Sequence, residues 1–458
     1  MVRLYSSVNA IGAGFLFNSA FGAAHPHHAL RHVHHGHAVA RDAATVPPLD
    51  ISIKVNTLAP TTGAAHSDKP SNLSAYITGN KVTPPSAAFM LKPGDDAGTS
   101  SYYTPTGAKS GAKLTDSSSF LSWKIPDSGT EFKTPGEISS GRIYIVDGNL
   151  DFFSGGDGAI VQPDPHNPGD VSSRELWGFF ELSHINDPSQ NKPTITINLS
   201  FVDWVGMALG MNVTYIDGNQ QKTISIPGMK PDGLVNICNA LTKLDSFWPK
   251  LCMKGADNKT PIRIVSPNKY LSLHPDDKDA STYYEPYVDM VWNKYKSAEL
   301  KINTQADGPS GDRKIESGTI VTCKVNNDKL ECDNDAGSFA RPNSADIFGC
   351  NSGPFANPGA GETESWSRAR VRPRLCAAFV RSTAHLDGAQ PSKDIPVEKY
   401  YQHKVTNHYS RAVHENLIGG MGYAFSYDDV SADEKVNSAG LVSVLNPVRL
   451  DLYVNAYA

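Results

Sequence analysis

Hydrophobic and polar residues alternate most regularly over residues 194–202. Isoleucine, leucine and phenylalanine occupy every second position, and threonine, asparagine and serine lie between them. This period of two predicts a half-buried β-strand. The preceding run, residues 177–185, is mostly aromatic and aliphatic, and prolines and an asparagine separate the two runs. The sequence therefore predicts two strands joined by a loop, in a register that places Glu181 opposite Asn198.

Similar patterns recur along the chain. Short strands are predicted at residues 51–55, 72–78, 141–147, 262–265, 298–303, 319–325 and 440–454. Apolar residues at helical spacing predict helices at residues 231–244, 284–295 and 396–412. Residues 84–119, rich in Pro, Ser, Gly and Thr, predict a long loop. Repeated short strands indicate a mainly β fold, a sandwich or barrel, joined to a mixed α/β part.

The length of 458 residues favours two domains. Composition divides the chain into a secretory signal (1–24), a His-rich flexible pro-segment or tail (25–45), a β domain with the two paired strands (46–228), a mixed α/β domain (229–414) and strands that return to the β domain (415–458). A weakly charged apolar run ending in small residues predicts the signal, and a disordered tail is the alternative. Histidine-rich tracts can bind metal, but this one lacks interleaved acids or cysteines, so no metal site is predicted.

Charge and cysteine content narrow the class of protein. The formal net charge of −5 gives no reason to expect nucleic acid, and no apolar run approaches the length of a membrane span. Six cysteines without CxxC spacing favour three disulfides, most simply in sequential pairs: 238–252, 323–332 and 350–376. Sequons, the acceptor motifs for N-linked glycans, occur at Asn72, Asn198, Asn212 and Asn258. These features predict an exported, disulfide-bonded protein, extracellular or in a cell wall.

Two carboxylates stand beside the paired strands, Glu181 in the first and Asp203 just after the second. Glycoside hydrolysis needs two such groups across the scissile bond, one protonated and one ionised. In the simple register Asp203 has the opposite parity from Glu181, so it must follow a bulge or the end of the strand to reach the same groove. From spacing alone, local salt bridges are the commoner role for both acids.

Other catalytic motifs are incomplete. His408, Ser410 and His414 cluster without a GxSxG nucleophile elbow. His403 and His408 are five residues apart, and no HExxH motif or phosphate-binding glycine loop occurs in the sequence. The sequence therefore predicts no cofactor and no catalytic metal.

A series of sequence blocks along the chain resembles glycoside hydrolase family 64 of the thaumatin-like superfamily. Two of them, FFELS and NLSFVDWVGMALGM, contain Glu181 and Asp203, and GRIYI contains Arg142. The later blocks are ADIFGCNSGPF, RLCAAFVRST, NHYSR and GYAFSYDDV. The resemblance spans most of the chain from about Ile51 onward. It departs from plain thaumatins in its few cysteines and in having Asn198 where they carry Asp.

The resemblance implies an endo-β-1,3-glucanase that inverts the anomeric centre and releases short oligosaccharides. It implies a thaumatin-like β-barrel or sandwich and a mixed α/β domain with a wide groove between them. Glu181 is then the general acid and Asp203 the general base. Predicted substrate-binding residues are Arg142, Ser183, Asn198, Ser200, Trp204, Asp428 and Asp429. The expected partner is β-1,3-glucan, bound by a monomer, and the alternative is a non-catalytic β-glucan-binding defence protein with the same cleft.

Overall fold

The computed structural model describes residues 46–56, 72–82, 87–115, 120–187, 190–255, 257–307, 318–359, 362–432 and 437–455. The predicted signal and His-rich segment lie outside these residues. The strands are β1 Asp50–Asn56, β2 Leu73–Asn80, β3 Ala88–Pro93, β4 Ser100–Tyr103, β5 Trp123–Lys124, β6 Thr130–Lys133, β7 Ile138–Asp147, β8 Phe153–Gly156, β9 Ala159–Val161, β10 Leu176–Asp187, β11 Lys192–Leu199, β12 Trp204–Val205, β13 Leu209–Asp217, β14 Gln220–Ile226, β15 Cys252–Lys254, β16 Pro261–Val265, β17 Leu300–Asn303, β18 Ile320–Asn326, β19 Lys329–Cys332, β20 Gly337–Ala340, β21 Ala389–Gln390, β22 Val442–Leu445 and β23 Pro447–Asn455. The α-helices are α1 Gly233–Leu241, α2 Pro267–Leu273, α3 Lys278–Ser281, α4 Glu285–Tyr295, α5 Ser344–Gly349, α6 Trp366–Val380 and α7 His408–Asn416.

Two large sheets pack face to face. One has the strand order β14-β13-β23-β1-β6, and the other has β22-β11-β10-β7-β2-β3-β4, with β5 paired to β2. Both sheets are open at their edges in the described part of the chain. The fold is therefore mainly β, and the sandwich alternative fits it whereas the closed-barrel alternative does not.

The alternation in β11 sets the inner face of the second sheet. Ile195, Ile197 and Leu199 are buried in the apolar cluster between the sheets, as the pattern predicts. Burial of each such side chain stabilises the fold by roughly 1.5–3 kcal/mol. A one-residue slip of β11 would turn all three toward solvent, so the register of this strand is strongly specified.

The opposite face of the same sheet carries a second, smaller cluster that is largely aromatic. It includes Tyr76, Tyr144, Trp177, Phe179 and Trp204. Successive side chains of a strand point to opposite faces, so Trp177, Phe179 and Glu181 share the outer face of β10. Glu181, which is predicted to act in catalysis, thus lies beside aromatic side chains on the same face of the sheet.

The mixed α/β part contains the sheet β20-β19-β18-β17-β21 and the small sheet β12-β16-β15. Helices α1 and α4 lie within two of the predicted helical segments. The three disulfides join the sequential cysteine pairs that the spacing predicts. One apolar cluster, from Leu49 to Val454, includes residues of both the β sandwich and the α/β part. The predicted domain boundaries stay predictions.

Two segments differ from the expectations. The predicted loop at residues 84–119 includes the antiparallel strands β3 and β4. Phe89, Met90 and Leu91 of β3 are buried on both faces, so the strand shows no alternation. The predicted helix at residues 396–412 is wrong over most of its length, because Tyr401 has a positive φ of 59° and α7 begins only at His408. In the described part of the chain, no helix has both the length and the apolar character needed to cross a bilayer.

Candidate active site

A row of polar side chains crosses the outer face of the second sheet. Arg142 of β7 lies directly opposite Glu181 of β10, and Glu181 lies opposite Asn198 of β11. Thr78 of β2 continues the row beyond Arg142. The predicted pairing of Glu181 with Asn198 is confirmed, and it places a guanidinium beside a carboxylate in the middle of a sheet.

Asp203 reaches the same place because β11 ends before it. The strand stops at Leu199, and Ser200 forms an isolated parallel bridge with Tyr423. Asp203 immediately precedes the short strand β12, and its carbonyl oxygen accepts a hydrogen bond of 2.9 Å from Ser266. The parity difficulty disappears because the alternation of β11 no longer applies after its last residue.

A single nitrogen of Arg142 lies close to both acids. Arg142 Nη2 is 3.0 Å from Glu181 Oε1 and 3.8 Å from Asp203 Oδ2. These two contacts limit the separation of the two carboxylate oxygens to 6.8 Å at most. The side chains of Arg142, Glu181 and Asp203 are 15, 17 and 19% exposed, so solvent reaches all three.

Burial gives Glu181 the electrostatics of a proton donor. Desolvation by the surrounding sheet raises the pKa of Glu181, and the charge of Asp203 raises it further, whereas Arg142 and a hydrogen bond with Ser200 lower it. Burial prevails over the guanidinium, and the net direction is upward. A carboxyl group in these surroundings holds its proton at a higher pH than one in water, which general acid catalysis requires.

Besides Glu181, two side chains hold the guanidinium of Arg142. It lies over the ring of Phe179, 4.6 Å from the centroid, and its Nη1 is 3.4 Å from Gln162 Oε1. Tyr144 donates a hydrogen bond to the same Gln162 oxygen. Gln162 and Tyr144 were not predicted as site residues. Tyr144 lies two residues from Arg142 on the same strand face, so the alternation of β7 is the signal that indicates it.

Lys269 is a second cation at the site that the sequence did not indicate. Its Nζ is 3.8 Å from Asp203 Oδ1, and its side chain is 32% exposed. It comes from α2, far along the chain, and only the pairing of β12 with β16 brings that helix beside Asp203. Asp203 thus lies between two cations, Arg142 and Lys269.

Three predicted sugar-binding residues lie on or near this row. Ser183 is half-buried on β10, and its Oγ accepts a hydrogen bond from the Ser140 amide. Asn198 is half-buried beside Glu181, and its Oδ1 has no hydrogen-bond partner among the described residues. Ser200 is buried against Glu181. Their roles toward a sugar remain predictions.

Trp204 occupies a position that does not fit its predicted stacking on a sugar. The residue is 3% exposed. Its ring meets Trp177 at a centroid distance of 4.6 Å, nearly edge-on, and Phe179 at 4.8 Å. Trp204 follows Asp203 directly, so its burial fixes the chain at that acid instead of offering a surface to substrate.

Asp428 is also placed differently from the expectation of a groove-lining acid. Asp428 is fully buried and forms ion pairs with Arg381 and His414. Asp429 is half-buried, and its Oδ1 accepts a hydrogen bond of 2.8 Å from the Tyr423 hydroxyl. Asp428 lies within the structure because Arg381, just after α6, and His414 of α7 enclose it, whereas the role of Asp429 stays a prediction.

The arrangement defines a class of site. A carboxyl group with a raised pKa and a second carboxylate flanked by cations, both open to solvent on a β-sheet face, are the groups that a glycoside hydrolase uses. No cluster of three His, Cys, Asp or Glu side chains that would hold a metal ion occurs within the described ranges.

Comparison with known proteins agrees with this class. The family model described as beta-1,3-glucanase, glycoside hydrolase family 64, matches residues 62–454, so the chain belongs to this family. A glucan endo-1,3-beta-glucosidase from Arthrobacter sp. (strain YCWD3) is 28% identical over 312 residues, which are 65% of this chain and 50% of the relative. A protein of the same name from Cellulosimicrobium cellulans is 27% identical over the same shares. The chain thus spans about half the length of these curated relatives.

Two solved structures share the fold. The crystal structure of a laminaripentaose-producing beta-1,3-glucanase in complex with laminaritetraose has a TM-score of 0.70 at 24% identity, with 91% of this chain and 99% of the other covered. A beta-1,3-glucanase domain of the same family from Clostridium beijerinckii has a TM-score of 0.64 at 16% identity, with 89% and 98% covered. At these identities the likeness concerns the fold.

Proposed function

We propose that this chain is a secreted endo-β-1,3-glucanase that hydrolyses laminarin-like or cell-wall glucan to short oligosaccharides with inversion. The observation that carries the proposal is the convergence of Glu181 and Asp203 on one nitrogen of Arg142, with all three side chains partly exposed. Family membership supports the substrate class, as does the solved relative in complex with laminaritetraose. The succession of sequence blocks from FFELS to GYAFSYDDV further supports a thaumatin-like origin of the sandwich.

In the proposed reaction Glu181 donates its proton to the glycosidic oxygen while the bond to the anomeric carbon breaks. Asp203 takes a proton from a water molecule, and the water oxygen bonds to the anomeric carbon from the opposite face. Arg142 keeps the two carboxylates at a fixed spacing, and Lys269 lies 3.8 Å from the other oxygen of Asp203. After the reaction Glu181 is ionised and Asp203 protonated, and exchange with solvent restores both.

Inversion requires space for water between the two acids. Carboxyl groups in inverting enzymes lie roughly 6.5–9.5 Å apart, and those in retaining enzymes lie about 5–5.5 Å apart. The two facing oxygens are at most 6.8 Å apart. This limit is compatible with the lower end of the inverting range and with the whole retaining range. The anomer formed first is therefore the decisive measurement, and proton NMR of laminarin hydrolysis should show the α-anomer.

The activity is tested by reducing-sugar release from laminarin. Loss of a general acid or base lowers kcat by about 10²–10⁴-fold, so Glu181→Gln and Asp203→Asn should both be nearly inactive. Asp187→Asn is the matched control, because Asp187 is an acid at the far end of β10. It should retain full activity.

Binding to insoluble β-1,3-glucan separates recognition from chemistry. Both inactive variants should still sediment with the glucan. A wild-type protein that binds glucan and never cleaves it would establish the non-catalytic alternative. A first product in the β-anomer would leave the hydrolase standing and refute inversion.

A further inference from the structure

The chain between β11 and Asp203 is held by hydrogen bonds to a neighbouring turn that contains Tyr423, Ala424 and Asp428. The Phe201 amide donates a hydrogen bond of 2.8 Å to the Tyr423 carbonyl, and the Tyr423 amide donates one of 3.1 Å to the Leu199 carbonyl. This pair of bonds extends the sheet by one parallel bridge after β11 has ended. The position of Ser200, which bonds Glu181, and the path toward Asp203 therefore depend on where Tyr423 lies.

Helix α7 fixes the same stretch from its other side. The Tyr409 hydroxyl donates a hydrogen bond of 2.5 Å to the Phe201 carbonyl. Ser410, one residue further along α7, donates to the Ala424 carbonyl over 3.2 Å. One helix thus holds both the segment that leads to Asp203 and the turn beside it.

The buried side chain of Asp428 connects this turn to His414 and Arg381. Its Oδ2 accepts a hydrogen bond of 2.8 Å from the Ala424 amide and lies 2.9 Å from His414 Nε2. Its Oδ1 lies 3.1 Å from Arg381 Nη2, and Arg381 also donates to the Asp428 and Val430 carbonyls. The Asp428 side chain is 1% exposed, so this carboxylate has exchanged water for protein donors.

His414 faces acceptors with both ring nitrogens. Nε2 lies against the Asp428 carboxylate, and Nδ1 lies 2.9 Å from the Gly420 carbonyl oxygen. A neutral imidazole has one N–H donor, so only the imidazolium satisfies both acceptors. The other groups that act on the ring are the Arg381 cation and the stacked ring of Tyr401, 6.1 Å away. Asp428 outweighs burial and Arg381, and the pKa of His414 is raised.

We propose that His414, Asp428 and Arg381 form a buried positioning unit that holds Tyr423, and through it the segment from Ser200 to Asp203, in the geometry needed for hydrolysis. The inference rests on the proposed glucanase function and deepens it, because it assigns a role to polar groups that do not touch substrate. His414 is the titratable member of the unit. Its loss of a proton at higher pH leaves the Gly420 carbonyl without a donor and loosens the turn.

The test compares His414→Gln and His414→Phe with wild type, and uses His408→Gln as the matched control. His408 lies on the same helix and packs against Trp248 and Tyr283, and its Nε2 lies 3.3 Å from the Lys404 carbonyl oxygen. Displacing a reacting group by about 1 Å can cost 10²-fold, so kcat on laminarin should fall about tenfold to a hundredfold in the His414 variants. KM should change little, since the groove itself is intact.

The pH profile identifies a positioning role. In wild type, part of the decline of kcat on the alkaline side should follow the deprotonation of His414. In His414→Gln that part should be absent, whereas His408→Gln should keep the wild-type profile. A His414 variant that folds with wild-type kcat and pH profile would overturn the proposal.

A readout without substrate separates this proposal from the glucanase function. Hydrogen exchange at the Phe201 and Tyr423 amides should be faster in His414→Gln than in wild type after correction for intrinsic rates, and unchanged in His408→Gln. If wild type releases no sugar, the glucanase proposal fails and this exchange measurement still tests the unit. If both His414 variants unfold, wild-type protection of the two amides must decrease as His414 deprotonates, and constant protection would refute the proposal.

Discussion

The protein contains two groups in which an arginine meets carboxylates, and they differ mainly in burial. Around Arg142, the side chains of Glu181 and Asp203 are 17 and 19% exposed. Around Arg381, the side chain of Asp428 is 1% exposed and that of Arg381 is 3% exposed. The sequence assigned acids of both groups to one cleft. The structure gives the first group access to solvent and encloses the second.

The comparison shows what enclosure changes. Asp428 accepts bonds from a backbone amide, an imidazolium and a guanidinium, so its charge is compensated without water. This group can stabilise the fold, but it cannot meet a polysaccharide. Glu181 is desolvated enough for its pKa to rise, and its side chain is still 17% exposed, as its proposed role as general acid requires. The open group therefore suits catalysis and the sealed group suits positioning.

The largest effect expected from this contrast is on stability. Asp428→Asn leaves Arg381 and His414 without their anion, and removal of one partner of a buried ion pair costs about 3–5 kcal/mol. Asp203→Asn, at the open group, should change the free energy of unfolding by less than about 1 kcal/mol. Urea unfolding of both variants measures the difference. Equal losses would show that exposure does not separate the two groups.

The sealed group also predicts a pH window for stability. The pKa of Asp428 is lowered, chiefly because His414 and Arg381 outweigh its burial, so its contribution is lost as pH falls through the folded pKa. The pKa of His414 is raised, so its contribution is present below about 6.5 and is lost as pH rises through its folded pKa. Wild-type stability should decline on both sides of this window, and His414→Gln should remove the alkaline decline.

An intermediate effect is expected from Glu181. Its pKa is raised by burial, so the folded state favours its protonated form, and the stability it contributes is lost as pH rises above about 4.3 toward the folded pKa. Glu181→Gln should therefore be more stable than wild type at neutral pH and nearly equal to it in acid. Urea unfolding at the two pH values, with Asp187→Asn as control, measures this gain. A less stable variant at neutral pH would mean that the pairing with Arg142 outweighs burial.

The smallest effect is expected at Lys269, the more exposed cation of the open group. An ion pair of this exposure contributes up to about 1 kcal/mol, so Lys269→Met should lower kcat by no more than about fivefold. Added salt should lower the kcat of wild type toward that of the variant, because salt screens partly exposed charges. The ratio of the two kcat values across a salt series is the measurement. A loss comparable to that of Asp203→Asn would show that Lys269 acts on the substrate itself.

Local pattern predicted the parts of the fold and site that depend on neighbouring residues. The alternation of residues 194–202 and the loop before it were enough to pair Glu181 with Asn198. Sequential cysteines were enough for the disulfides. The strand β3 was missed because it is buried on both faces, which removes the alternation that marks a strand.

Contacts between distant segments were beyond such patterns. Lys269 reaches Asp203 only through strand pairing, and Gln162 reaches Arg142 from the segment after β9. The burial of Asp428 depends on Arg381 and His414. The sequence around these two residues does not indicate that they contact Asp428. Residue types identified an acidic pair after a glycine-rich turn, but tertiary packing decided which acids face solvent.

The central position of β23 has a consequence for how the molecule is made. In the five-stranded sheet β23 lies between β13 and β1, with Leu450 beside Ile51 in parallel register. Ile51 is synthesised long before Leu450. The edges of β1 and β13 that pair with β23 therefore stay unpaired until the end of the chain is made. Contacts this remote in sequence form slowly. Newly synthesised chains should therefore depend on chaperones until β23 inserts, and truncation before it should send the product into aggregates.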